Sequence, residues 1–421
     1  MLKWLSLITV LALALGVGVG AAIGASGDQG LIGIATEVEY IGSLWLNALR
    51  MTVVPLVFSL LVTGIASVAN AAVTGRLAAR SLMVFAVLLG TATVYACLVL
   101  PVAYTIWPVD QSSAASLVSG AAPVEVVSPP TVGQWLAGLA PANVVAAAAE
   151  SAVLPLVVFA IFFGFAATRL PAAQRDPMVG FFRAVADTMI VIVRWVLFAA
   201  PIGVFALALG VGLISGVAIV GLILQYVAIA CVVTLGVAVM AYLFAFLWGR
   251  VSPARFIAAT APALAVAFSS RSSLATLPLM VERMRDAMDV TPRVANVTLP
   301  MAVAVFRMTS PVTNLAVVFF AAAVHGVELG PMQIIAGGFV AIAISIGSVG
   351  LPGEISFVAS VAPIAISMGV PIDLLGILVA VEAIPDIFRT LGNVAGDMAA
   401  TVIVSKDTKT TAPEATVAAA P

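Results

Sequence analysis

Long apolar stretches separated by short polar ones repeat along most of the chain. Before residue 250 they lie at roughly 1–27, 41–70, 79–107, 133–168, 184–212 and 217–248. Each is long enough to include the roughly 20 residues that a helix needs to cross the hydrocarbon core of a bilayer. Nothing resembles the short alternating strands of an outer-membrane barrel. The pattern predicts an all-α polytopic membrane protein.

The first stretch, MLKWLSLITVLALALGVGVGAAIGASG, has two interpretations. Lys3 before an apolar run that ends in small residues is typical of a secretory signal peptide. The run is, however, about as long as a bilayer is thick and longer than the apolar region of a typical signal peptide. We therefore predict a retained first span.

From about residue 254 onward, polar, Gly and Pro clusters interrupt the apolar segments. The interruptions read AFSSRSSLATLPL, FRMTSPVTN and SIGSVGLPGEIS. Irregular backbone at membrane depth is tolerated only where it is buried in protein or lines a cavity. Paired interruptions of this kind point to a binding site near the bilayer midplane. We predict broken helices around such a site.

Composition agrees with a membrane protein, since 63% of the 421 residues are hydrophobic and 9% are charged. The mean hydropathy of +1.21 lies far outside the range of soluble globular domains. A net charge of -1 gives no indication of a nucleic-acid partner. The expected surroundings are membrane lipid.

Charges in the loops sort into two sets that alternate along the chain. The basic set is Arg76, Arg80, Arg169, Arg175, Arg183, Arg250, Arg255, Arg283, Arg285, Arg293, Lys406 and Lys409. The acidic set is Asp28, Glu37, Glu39, Asp110, Glu125 and Glu328. The positive-inside rule makes the basic set cytoplasmic, together with both termini. This orientation, in the cell inner membrane, requires residues 254–282 to form a re-entrant hairpin from the cytoplasm and 334–366 one from outside.

Few residues carry the chemistry of an enzyme. Cys97 and Cys231 lie in apolar spans, which favours buried structural thiols over a disulfide. His325 follows an apolar run near a predicted span end, and we interpret it as an interfacial residue. No nucleophile–base pair, metal cluster or phosphate loop of useful specificity occurs. We predict that the protein is not an enzyme.

The last apolar segment, VEAIPDIFRTLGNVAGD, carries polar residues at steps of four, three, four and four. They are Glu382, Asp386, Arg389, Asn393 and Asp397. This spacing follows the helical period and places all five on one stripe. A charge at mid-bilayer costs about 2.5–3.5 kcal/mol, so the stripe must face protein or water. We predict a polar ligand there; the alternative is a buried ion-pair network that ties Arg389 to Asp386 or Glu382.

Five segments carry a family resemblance that covers essentially the whole chain. They are MTVVPLVFSLLVTGIASV, APIGVFALAL, SSRSSLATLP, GLPG and DIFRTLGNVAGD. Together they resemble the dicarboxylate/amino acid:cation symporters, the glutamate transporter homologues. The resemblance implies eight transmembrane helices plus two re-entrant hairpins with inverted repeats, a homotrimer, and elevator motion of a transport domain against a scaffold.

The resemblance also implies a division of the chain. Residues 1–253 would be mostly scaffold and trimerisation region with spans 1–6, of which spans 3 and 6 associate with the transport domain. Residues 254–402 would form the core transport domain, with hairpins at 254–282 and 334–366, span 7 at 297–325 and span 8 at 372–402. Residues 403–421, rich in small and polar residues, are predicted to be a disordered cytoplasmic tail.

Matched positions imply a substrate site. Arg389 would grip an acidic group of the substrate, because its planar fork suits a carboxylate bidentately. Asp386 would hold an amino group. Polar contacts would come from Thr390, Asn393, Ser310, Ser272 and Ser273, with the tip of the second hairpin, Gly350, Pro352 and Gly353, as the gate.

Span 7 departs from the family pattern. Sodium-coupled members carry Asn-Met-Asp-Gly-Thr where this chain has Phe306, Arg307, Met308, Thr309 and Ser310. Sodium, a hard cation, requires the oxygen ligands that are lost here. Phe85 and Leu88 replace a tyrosine and a threonine of span 3 in the same region.

These losses lead to a hypothesis about coupling. Arg307 would substitute for a coupling ion next to Asp397, and transport would be sodium-independent or coupled to protons through Glu382 or Glu354. The alternative is a residual sodium site at Asn393 and Asp397. No other cofactor is expected.

The predicted function is secondary active transport of a small molecule, an amino acid or C4-dicarboxylate. Two alternatives stay open: a sodium-coupled transporter with a reduced ion count, and a transport-inactive binding sensor or anion conductance that kept the pocket.

Overall fold

The structure, a computed structural model, describes residues 2–73, 75–118, 132–216, 218–347 and 353–411. Within these ranges the regular secondary structure is α-helical and no strand occurs. The helices of the first half are α1 Leu2–Ser26, α2 Gln29–Arg50, α3 Val53–Val73, α4 Arg76–Ile106, α5 Gln111–Val118, α6 Val132–Gly138, α7 Val144–Ala149, α8 Val153–Thr168, α9 Ala172–Phe198, α10 Ala200–Ser215 and α11 Ala218–Leu247. Those of the second half are α12 Pro253–Ser270, α13 Ser273–Asp286, α14 Pro292–Val305, α15 Ser310–Val324, α16 Pro331–Gly347, α17 Gly353–Ser367, α18 Leu375–Val381 and α19 Ala383–Thr411.

Six helical segments in the described part of the chain are long and apolar enough to cross a membrane. They are Leu7–Ser26, Gln29–Ala69, Arg76–Ile106, Ile219–Leu247, Pro292–Val324 and Ala383–Lys406. The pair α9 and α10, bent by 58° at a short break, would make a seventh. The predicted class, an all-α polytopic membrane protein, is confirmed.

The two predicted hairpins correspond to pairs of helices that pack against each other. Helices α12 and α13 are separated only by Arg271 and Ser272, and Arg271 adopts the left-handed conformation with φ 52°. That conformation is costly for a side chain other than glycine, so the surrounding contacts hold the turn. Helices α16 and α17 also pack together, and the tip between them, 348–352, lies outside the described residues.

Two further helices are broken inside the membrane-spanning part. α14 ends at Val305 and α15 begins at Ser310, so the FRMT segment forms the break. α18 ends at Val381 and α19 begins at Ala383, with Glu382 at the junction. Helix α19 packs against α4, α11, α12, α13, α14, α15, α17 and α18. It is therefore the central helix around which both the hairpins and the broken helices gather.

The predicted start of the disordered tail, at residue 403, falls inside helix α19. Helix α19 continues to Thr411, and Lys406 Nζ donates a 3.0 Å hydrogen bond to the carbonyl oxygen of Trp248 in the α11–α12 connection. Ile403 and Val404 at the predicted boundary are fully buried, so this part of the chain still packs as part of the helix. Residues 412–421 lie outside the described residues.

Helix α1 packs along α10 through glycines. A Cβ atom at Gly20 would clash with the carbonyl oxygen of Leu209, and one at Gly16 would meet the carbonyl oxygen of Phe205 at 2.6 Å. Gly18 lies on the opposite side, with no atom within 4 Å of its Cβ position. Close approach of two backbones through small residues is the usual way in which helices associate in a bilayer.

Substitution of these glycines should separate packing from helix propensity. We expect Gly20→Val to destabilise the protein by about 1–3 kcal/mol through overpacking against backbone that cannot move away. Gly18→Val is the matched control and should leave stability nearly unchanged. Thermal unfolding of the detergent-solubilised protein checks this, and equal melting temperatures for the two variants would contradict the packing described.

Candidate functional site

The stripe of α19 and its junction with α18 faces the protein interior. Glu382, Arg389, Asn393 and Asp397 are all at most 4% exposed, and Asp386 is partly exposed. The helical period thus places the polar face as the sequence predicts, away from lipid. The side chains separate into an outer group around Arg389 and an inner group around Asp397.

Arg389 is held by a carboxylate from its own helix junction and an amide from span 7. Its Nη2 lies 2.7 Å from Glu382 Oε1 and 3.5 Å from Asn314 Oδ1. Tyr226 of α11 extends the group, since its hydroxyl donates to Glu382 Oε2 over 3.5 Å. Arg389 Nε has no hydrogen-bond partner among the described residues, although it is buried. A buried donor without a partner is costly, so this edge of the guanidinium is suited to donate a hydrogen bond to a ligand oxygen.

Asn314 and Ser310 line the same region from α15. Asn314 Nδ2 donates to Ser310 Oγ over 3.3 Å, while its Oδ1 faces Arg389. Ser310 was predicted as a site residue, whereas Asn314 was not. The signal was present, because Asn314 follows Ser310 by one helical turn and is a polar residue in an apolar run.

Thr309 and Asn393 fasten the break of span 7 to α19. The Thr309 amide and hydroxyl both donate to Asn393 Oδ1, over 3.1 and 2.8 Å, and the hydroxyl also lies 2.9 Å from the Arg389 carbonyl oxygen. A Cβ atom at Gly392 would clash with Thr309 Cγ2, so the helix face is shaped for this contact. The Thr309 amide therefore occupies one side of Asn393 Oδ1, and the single hydroxyl proton of Thr309 is shared between Asn393 Oδ1 and the Arg389 carbonyl oxygen.

Asp397 is buried, and neither of its carboxylate oxygens has a hydrogen-bond partner among the described residues. The charge that acts on it is that of Arg307. Arg307 also interacts electrostatically with Asp386 and Arg389. The predicted pairing of Arg307 with Asp397 is thus present as an attraction, but no ion pair within 4.0 Å joins these two residues.

The surroundings of Asp397 are largely apolar. Phe85 of α4 stacks on Phe306, with ring centroids 4.8 Å apart and planes at 8°. Met308 is fully buried, and its sulfur would lie 3.1 Å from a Cβ atom at Gly396, while Leu88 is also fully buried. Phe85, Phe306 and Met308 thus pack as apolar side chains around the break of span 7 and beside Gly396.

The tip of the first hairpin is held by local hydrogen bonds. Ser272 Oγ caps α13 by accepting from the Ala275 amide over 3.2 Å, and Ser273 is the first residue of that helix. Thr390 donates its hydroxyl to the Asp386 carbonyl oxygen over 2.9 Å, within its own helix. Among the described residues, no hydrogen bond links the two serines to the stripe, although α12 and α13 both pack on α19.

The structure describes the second hairpin only in part. Gly353 begins α17, whereas Gly350 and Pro352 lie outside the described residues, as does the side chain of Glu354. In the part of the chain that the structure describes, no group of three or more His, Cys, Asp or Glu residues could hold a metal ion.

Comparisons with known proteins agree on one family. The family model described as "Sodium:dicarboxylate symporter family" matches residues 5–407. The chain is 29% identical over 378 residues to the "Proton/glutamate-aspartate symporter" of Escherichia coli (strain K12), which covers 87% of this chain and 84% of that relative.

Two further relatives differ in the substrates that their names give. The "Neutral amino acid transporter B(0)" of Oryctolagus cuniculus is 29% identical over 430 residues, 93% of this chain and 78% of the relative. The "Proton/sodium-glutamate symport protein" of Geobacillus stearothermophilus is 26% identical over 381 residues, 89% of this chain and 88% of the relative. These are transporters, as the absence of enzyme motifs in the sequence predicts. The chain belongs to the sodium:dicarboxylate symporter family, a family of membrane transporters and not of enzymes.

Proposed function

We propose that the protein is a secondary active symporter that carries an amino acid or C4-dicarboxylate across the cell inner membrane by an elevator mechanism. The observation that carries the proposal is the buried Arg389, whose Nε edge has no partner in the described part of the chain. A guanidinium in a dry site binds a carboxylate strongly and with fixed geometry. The relatives' names give acidic and neutral amino acids as cargo.

A partly exposed carboxylate supports an amino group as the second feature of the substrate. Glu382, Asp386 and Asp397 lie near Arg389 or Arg307, and Asp386 is the partly exposed member of the three. The ammonium group of an amino acid would bind at Asp386. The amides at the tip of the first hairpin would then face the other carboxylate of the substrate.

The elevator proposal rests on which helices share contacts. Helix α19 packs on the hairpin helices α12, α13 and α17, while α16 and α17 also pack on α3 and α8, and α18 packs on α10 and α1. The contacts with α1, α3, α8 and α10 would form the interface across which the transport domain moves. We assign residues 254–402 to a transport domain and most of 1–253 to a scaffold that forms a homotrimer. Both termini are assigned to the cytoplasm on the distribution of basic residues.

For coupling, we propose that Arg307 takes the part of a transported cation. Asn393 Oδ1 accepts a hydrogen bond from the Thr309 amide, and the residues on either side of Arg307 in the chain, Phe306 and Met308, are apolar and buried. The positive charge nearest to Asp397 is then a fixed one. A proton carried by Glu382, which contacts both Tyr226 and Arg389, would supply the driving force.

One observation favours the second candidate, a sodium-coupled transporter with a reduced ion count. Both carboxylate oxygens of Asp397 lack hydrogen-bond partners among the described residues, as the ligands of an ion would. The two candidates differ in what a sodium gradient does to uptake.

Substitution of Arg389 tests the substrate site. Arg389→Lys keeps the charge opposite Glu382 but loses the planar fork, so we expect uptake to fall at least about tenfold. Uptake of radiolabelled aspartate, glutamate, serine, alanine and succinate by proteoliposomes is the measurement. The matched control is Arg175→Lys, at the exposed pair with Asp176, which should transport as the wild type does. Binding of any of these compounds without uptake by the wild type would indicate a sensor instead.

Substitution of Arg307 tests the coupling proposal. Wild-type uptake should respond to an imposed proton gradient and not to a sodium gradient. Arg307→Met removes the fixed charge beside Asp397, and we expect uptake to drop at least about tenfold because a buried carboxylate loses its counter-charge. Sodium-stimulated uptake by the wild type that persists unchanged in Arg307→Met would rule the proposal out.

A further inference from the structure

The one histidine of the chain occupies a buried polar position at the end of α15. His325 is the C-terminal cap of that helix, and its side chain is 0% exposed. Nδ1 lies 2.8 Å from the carbonyl oxygen of Ala321, and Nε2 lies 3.1 Å from Oδ2 of Asp373, in the segment before α18. Neither contact was expected from a histidine predicted only to be interfacial.

Both contacts are satisfied together only by the imidazolium. A backbone carbonyl oxygen and an ionised carboxylate can each accept a hydrogen bond, but neither can donate one. Neutral histidine carries one N–H, so one ring nitrogen would face an acceptor with a lone pair. The end of a helix also favours a positive charge. The geometry therefore prefers protonated His325 beside ionised Asp373.

Asp373 has a second cationic neighbour on a different element. Its side chain is 35% exposed and borders a cavity of about 200 Å³. The opposite wall of this cavity is formed by α2 and α10 and includes Arg50, which attracts Asp373. His325 and Asp373 belong to the region proposed as the transport domain, whereas Arg50 belongs to the region proposed as scaffold. One carboxylate is thus shared between two cations that the proposed motion would separate.

We propose that His325 is a proton-sensitive clasp: when protonated it holds Asp373 toward α15, and when neutral it leaves Asp373 to bind Arg50 of α2. The clasp itself follows from the contacts above. Its effect on transport rests on the proposed function, because only an elevator motion would have to separate Asp373 from Arg50.

Other charged groups near His325 and Asp373 do not reverse the preference for protonated His325. Among the described residues, Asp373 is the one charged group that acts directly on His325. Glu328 lies exposed in the loop after α15, and Asp110, before α5, is engaged by Ser112 and Ser113. Glu39 lines the same cavity as Arg50 but does not act on Asp373.

Protonation of His325 makes the stability of the protein depend on pH in a definite direction. Burial opposes the charged imidazole, but the hydrogen bond and charge of Asp373 and the bond to Ala321 outweigh it and raise the pKa of His325 above its ordinary value of 6.5. A raised folded-state pKa stabilises the protein fully below the unfolded pKa of about 6.5, and this stability is lost as pH rises through the folded pKa.

Melting temperatures measured from about pH 5 to about pH 9 test the clasp without requiring transport. We expect the wild type to lose thermal stability as pH rises through this transition, and His325→Gln to lack that loss. Arg50→Gln removes the competitor for Asp373 and should move the transition to higher pH. Glu39→Gln, in the same cavity, is the matched control and should leave the transition where it is. An unchanged transition in His325→Gln, or equal midpoints in Arg50→Gln and the wild type, would overturn the proposal.

Exchange of radiolabelled aspartate or serine in proteoliposomes, with equal pH on both sides, tests the effect on transport. We expect wild-type exchange to slow as pH rises through the His325 transition, and Arg50→Gln to keep its rate. Exchange that slows equally in both would overturn the effect on motion. No exchange of any substrate, together with the expected melting curves, would refute the proposed function and leave the clasp supported.

Discussion

The structure depends on the burial of charged side chains along α19 where neither lipid nor bulk water can solvate them. Arg389 and Glu382 meet at 2.7 Å, with side-chain exposures of 3% and 0%. Removing either partner would leave an uncompensated charge inside the protein, which is among the most costly changes a fold can suffer. The demand for partners explains why α19 is more buried than the other described spanning segments, with 83% of an 18-residue stretch buried. It also explains why helices from both halves of the chain pack around α19.

The breaks in the neighbouring helices follow from the same demand. A continuous α14–α15 helix would have its amides satisfied internally and could offer only side chains to α19. The break at 306–309 frees the Thr309 amide, which together with the Thr309 hydroxyl satisfies Asn393. Glu382 likewise sits where α18 and α19 part, which lets its carboxylate turn toward Arg389 and Tyr226. Irregular backbone is therefore confined to places where it is buried in protein.

The hydropathy pattern was enough to predict the membrane class, and the helical period predicted the polar face of α19, because each is a local property of the chain. The residues that contact that face come from distant parts of the chain. Tyr226 and Glu382 are 156 residues apart, and Thr309 and Asn393 are 84 apart. The Phe85–Phe306 stack likewise joins two distant parts of the chain, α4 and the break of span 7. Sequence reasoning paired Arg307 with Asp397 by charge; the structure keeps the attraction but without contact, because contact depends on rotamers and neighbouring volume that spacing does not encode.

A fixed arginine differs from a bound ion in one thermodynamic respect. A transported ion binds on one side and leaves on the other, so its gradient contributes free energy to each cycle. Arg307 stays with the protein in loaded and empty states alike, so it neutralises Asp397 but cannot store a gradient. Coupling under the proposed function then requires a group that changes charge during the cycle. Glu382 is the group proposed for this part, because its carboxylate contacts Arg389, the guanidinium proposed to bind the substrate carboxylate. Substrate and proton would bind together because they act on the same guanidinium, and sodium would not be needed for that link.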